Sequence, residues 1–189
     1  MGSPRASTGY WVPSTTTAST TRSRHTRKKP REGKRPLKIA IENRQRRHPV
    51  SIRNLRKVAE RILSALGLPT SELSVVIVGD RSIRILNREY LGRDKATNVI
   101  SFSMQEGEFG GVSPEVLGDV AISADTCARE AAEGDISFTA RLCFLLLHGI
   151  LHLAGYDHER SGEAEARRME KKERELFAML EGEGLTEFM

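Results

Sequence analysis

Residues 118–158 read GDVAISADTCAREAAEGDISFTARLCFLLLHGILHLAGYDH, and the succession of patterns in this stretch decides the fold class. A short apolar run over 118–123 predicts an inner strand, and Ser123 is placed to cap a helix that reaches Gly134. Ser137 then opens a strongly apolar helix that continues through Leu153. Upstream, Leu37, Ile39 and Ile41 are spaced by two, as in a half-buried strand, and residues 73–78 and 99–104 predict two more strands. Ser51 precedes a stripe of Ile52, Leu55, Val58, Ile62, Leu63 and Leu66 closed by Gly67 and Pro69, which is a capped amphipathic helix. A second helix carries Ile83, Leu86 and Tyr90, with Asp80 as its expected cap and an end near Gly92; a last, highly charged one covers 162–180. Strands come early, helices dominate late, and connections are too short for a regular strand, crossover helix and strand repeat. The expected fold is α+β, a small mixed sheet with helices packed on it.

A chain of 189 residues accommodates one core and a tail. Net charge is +5, but residues 1–36 hold nine Lys/Arg against one Glu, a net of +8, which leaves −3 for residues 37–189. The first 36 residues, rich in Ser, Thr, Arg, Lys and Pro, predict a disordered basic tail, and 37–189 a single domain. A folded part this mildly acidic attracts nucleic acid only through a local patch, the tail or a metal. Cys127 and Cys143 lie in apolar stretches and are too few for a disulfide framework, so they predict packing residues in a reducing compartment. The expected location is the cytoplasm, with an organelle matrix as the alternative because an acid-poor Ser/Arg-rich start also fits a transit segment. No run approaches the roughly 18 apolar residues of a membrane span; neither a membrane nor a small organic cofactor is expected.

Five histidines occur in the chain, and His148, His152 and His158 fall within eleven residues. Separated by four, His148 and His152 stand one turn apart on one helix face, within reach of a single ion. Gly155 is suited to the left-handed turn that would bring His158 back to them. Three neutral imidazoles suit one zinc per chain at the C-terminal end of the apolar helix, though nickel, copper or iron would also accept them, and they leave an open position for chemistry. The spacing is that of the metzincin protease motif, except that the general-base Glu after the first histidine is replaced by Gly149. Peptide hydrolysis by that mechanism is therefore disfavoured.

The segment from His148 to His158, ending Leu153-Ala154-Gly155-Tyr156-Asp157-His158, resembles the HGxLHLxGYDH signature of the YbeY family. Leu86-Asn87, Tyr90, Asp94, Lys95, Thr97-Asn98-Val99 and Ser101-Phe102 are similar to that family's LNxxYRxKDxPT(D/N)VLSFP segment, and Leu117-Gly118-Asp119-Val120 to its LGD strand. The resemblance implies an α+β fold, a zinc held by the three histidines, single-strand-specific RNA cleavage, and a role with the small ribosomal subunit in 16S rRNA 3′-end maturation and quality control. Leu91 stands where the family has Arg, and Ala96 where it has proline. An assembly factor with a mainly structural metal is the competing expectation that Leu91 sustains. No residue is assigned as catalytic base. Asp157, Glu159 and Asp119 are candidate partners for the outer ring nitrogens of the histidines. Arg84, Arg88, Arg93 and Lys95 form a basic cluster that could hold RNA phosphates. The charges over 163–175, Glu173 among them, predict an exposed face laced by ion pairs, and Met169 a packing residue.

Overall fold

The computed structural model describes residues 38–104, 115–156 and 162–187. The expected tail 1–36 lies outside the described residues, as do Asp157, His158 and Glu159.

Four strands, β1 (Lys38–Asn43), β2 (Glu72–Val78), β3 (Val99–Ser103) and β4 (Val116–Ser123), form one sheet in the order β1-β2-β4-β3. The first three in that order run parallel and β3 is antiparallel to β4, the small mixed sheet expected. Alternation along the strands sends side chains to two faces. Leu73, Val75, Ile77, Val120 and Ile122 join the main core with α1 (Ile52–Ala65) and α4 (Phe138–Leu153). Val78 and Ile100 pack instead with Ile83 of α2 (Asp80–Leu91).

Contacts with the sheet, with α1, with α3 (Ala124–Glu133) and with α5 (Gly162–Gly182) surround α4. That explains why it is apolar nearly all round: Leu142, Leu145, Leu146, Leu147, Ile150 and Leu151 are all buried. Each such side chain stabilises the fold by roughly 1.5–3 kcal/mol. Among the described residues no single helix is long and apolar enough to cross a membrane. Close approach of α4 to the sheet depends on Gly149, where a Cβ would fall 2.7 Å from Val120 Cγ1 and 3.2 Å from Ser101 Oγ.

Ser123 and Ser137 act as the expected caps, accepting from Thr126 N at 3.3 Å and Ala140 N at 3.0 Å. Two expectations about caps are corrected. Ser51 occupies the N-cap position of α1 without a side-chain capping bond. On α2 the N-cap is Gly79, and Asp80 is already helical. Its backbone N–H donates to Asp125 Oδ2 at 3.0 Å, so the cap comes from a neighbouring helix. Asp80's own carboxylate accepts from Ser123 Oγ (2.5 Å), Thr126 Oγ1 (2.6 Å) and Arg129 Nη1 (2.7 Å), binding the starts of α2 and α3 together. Met169 is buried, as a packing residue should be. Cys127 and Cys143 are buried free thiols, each pushed up to about 12 by burial, and so inert packing residues.

Candidate metal centre

Near the end of α4 the two histidines that lie within the described residues face each other, with Nε2 of His148 and Nε2 of His152 3.2 Å apart. Two imidazole nitrogens approach this closely when one donates to the other or when both hold one cation. Nitrogens each about 2.0–2.1 Å from a tetrahedral ion lie about 3.3 Å apart, so the pair fits a shared zinc. The helix ends as the sequence predicts: Gly155 has φ +85°, a left-handed turn that redirects the chain immediately before residues 157–161. Among the described residues no third His, Cys, Asp or Glu joins the pair to complete a metal-holding group.

The opposite nitrogen of His148, Nδ1, lies 2.6 Å from Glu173 Oε1, within hydrogen-bond distance. The imidazole lies nearly parallel to Phe144, with ring centroids 6.4 Å apart, and Phe144 in turn meets the edge of Phe177 and carries the Arg141 guanidinium 5.2 Å above its face. The expectation that Glu173 belongs to an exposed, ion-paired face is thus corrected: its side chain is only 13 % exposed. A signal for this was present in the sequence. Met169, Glu173, Leu176 and Leu180 follow the spacing of one helix stripe, and the three apolar members are buried. A carboxylate on that stripe requires a donor. Exposed ion pairs do occupy the rest of the helix, including Arg167 with Glu163 and Arg168 with Glu165.

Of the other candidate partners for the histidines, Asp119 does not meet His148 or His152. It follows the strand alternation onto the far sheet face and lines a cleft of about 620 Å³ with Tyr90 and Phe102. Gly149 faces Val120 and Ser101, and Ser101 Oγ donates to its carbonyl at 3.2 Å. The position that bears the base in metzincins is therefore pressed against the sheet in this chain.

The basic cluster is only partly available. Arg84 is engaged by Asp94 through two bonds of 2.8 Å, and Arg88 lies 3.9 Å from Glu89. Arg93 and Lys95 are exposed on the turn after α2, and Leu91, the last residue of that helix, is 45 % exposed. Several residues of the second motif serve the fold itself. Buried Asn87 donates to the Lys95 carbonyl at 2.8 Å, and Asn98 spans from the Val99 N–H to Glu130.

Residues 40–181 match the family model described as Endoribonuclease YbeY. A curated protein of that description from Geobacter metallireducens is 74 % identical over 150 residues, which is 79 % of this chain and 100 % of the relative. The corresponding protein of Geobacter sulfurreducens is 70 % identical with the same coverage, and that of Aquifex aeolicus 52 % identical over 65 % of this chain and 76 % of its own length. Among solved structures, the solution structure of TM1509 from Thermotoga maritima is similar in fold, with a TM-score of 0.52 at 21 % identity, covering 79 % of this chain and 96 % of that one.

Proposed function

The chain belongs to the YbeY family of endoribonucleases, and on that premise we propose that it cuts single-stranded RNA in 16S rRNA 3′-end maturation and small-subunit quality control, with one zinc ion held by His148, His152 and His158. The observation that carries the metal part is the convergence of the His148 and His152 Nε2 atoms at 3.2 Å beside a left-handed Gly155 turn. Bound zinc supplies Lewis-acid chemistry suited to phosphodiester cleavage, polarising a phosphoryl oxygen and acidifying water. The chain's own contribution is to fix the two imidazoles on a buried helix and to keep residue 149 from presenting a side chain there. Arg88, Arg93 and Lys95 are the proposed phosphate contacts, Arg84 being committed to Asp94. The cytoplasm, where ribosomes are assembled, is the proposed location.

Metal content and cleavage of single-stranded rRNA fragments test this together. About one zinc per wild-type chain is expected, with metal and cleavage both lost in His148→Ala and His158→Ala. A wild-type protein that holds no metal overturns the reading. Exposed Leu91, standing where the family pattern has Arg, favours a second reading in which the protein acts mainly by binding the small subunit. Wild type that binds zinc and the subunit but leaves RNA intact decides for it.

A further inference from the structure

We propose that Glu173 is a positioning residue for the histidine pair: it holds His148 as the Nδ1–H tautomer with the bare Nε2 turned toward His152, so that this ligand is set before a metal arrives. The use made of that nitrogen rests on the metal reading above; the tautomer does not.

An ionised carboxylate only accepts hydrogen bonds, so the 2.6 Å contact requires the proton on Nδ1 of His148. A neutral imidazole carries one N–H, and placing it at Nδ1 leaves the lone pair on Nε2, the atom 3.2 Å from Nε2 of His152. The short distance belongs to the charge-assisted class, stronger than a bond between neutral groups. The contact is also sheltered, with side chains 22 % and 13 % exposed, unlike the pairs on the outer face of α5. Rotation of the carboxylate away is opposed by its place on the buried stripe between Met169 and Leu176, and Phe144 lies along the imidazole face. The docking of α5 therefore fixes the ring of a residue on α4, and the side-chain entropy of ordering both groups is lost on folding rather than on metal binding.

A hydrogen-bond acceptor, not a negative charge, is what this role requires, which separates two variants. In Glu173→Gln the amide oxygen accepts the same bond; in Glu173→Ala nothing does. Full-length protein stripped of metal is first examined by long-range ¹⁵N–¹H NMR of the imidazoles. Wild type and Glu173→Gln are expected to show His148 as Nδ1–H, and Glu173→Ala to shift population to Nε2–H. Zinc alone is then titrated against a chromophoric chelator, with circular dichroism as the check on folding. Glu173→Ala is expected to bind about 10- to 100-fold more weakly, and Glu173→Gln close to wild type.

His148 found as Nε2–H in the wild-type protein overturns the proposal without recourse to any variant. So does a folded Glu173→Ala protein with wild-type zinc affinity, which leaves the metal site itself standing. Wild type that takes no zinc while showing the Nδ1–H tautomer overturns the metal reading and upholds the assignment of Glu173.

Discussion

Asp80 and Asp125 carry an acid sensitivity that can be argued residue by residue. Partial burial pushes the Asp80 carboxyl up, but hydrogen bonds from Ser123, Thr126 and Arg129, with the Arg129 charge, outweigh it and hold the group below the usual carboxylate range. The Asp80 N–H is the main cause of the lowered pKa of Asp125; burial opposes it, and His48 and Arg47 add to it. A carboxylate whose folded pKa is depressed stabilises the fold fully above its unfolded value of about 3.9 and loses that contribution as pH falls through the folded value. Asp125→Ala, which removes the cap of α2, is expected to cost about 0.5–2 kcal/mol at neutral pH. The difference from wild type should shrink as pH falls below about 4, and urea unfolding across that range measures it. At this scale the sequence disclosed the histidines, because spacing of four on an apolar helix is a pattern. Glu173 was concealed by its neighbours: ten charged side chains between 163 and 175 look like a solvated face until Met169, Leu176 and Leu180 are used to phase the helix.

Among the elements, the contact of α4 with β4 is sensitive to a single atom. Gly149→Ala gains helix propensity of up to about 1 kcal/mol. It also drives a methyl group to 2.7 Å from Val120 Cγ1, on a fully buried β-branched side chain in a central strand with little freedom to move. Overpacking of this kind costs about 1–3 kcal/mol, so net destabilisation is expected, and chemical denaturation checks it. A variant at least as stable as wild type would show that α4 can ride higher on the sheet. Existence and type of every element within the described residues followed from periodicity and capping residues. Boundaries followed less well, and β4 shows why. Taken from composition, the strand starts at Gly118, yet pairing carries it back to Val116. Gly118 lies inside it at φ +137°, where a Cβ would come within 2.0 Å of the Phe102 carbonyl. A glycine that looks like a boundary is there because the neighbouring strand passes too close for a side chain.

For the whole molecule, charge is distributed so that residues 1–36 bear +8 and the remainder −3. A protein beginning at residue 37 is expected to unfold at the same temperature as the full chain, because the core formed by the described residues lies wholly beyond that point. Its affinity for single-stranded RNA should fall and become less steeply dependent on salt, as removal of phosphate-neutralising cations requires. Binding isotherms at several ionic strengths, beside thermal melts, test both statements; unchanged salt dependence would assign the attraction to the folded part. The link from Glu173 back to His148 spans twenty-five residues of chain and joins the last helix to the one before it. A ribosome makes the chain from its N-terminus, so all four strands and α4 have been synthesised before Glu173 is added. The order of synthesis thus leaves the histidine pair unlocked until the last helix is made, and a nascent chain ending before residue 173 carries that lock open.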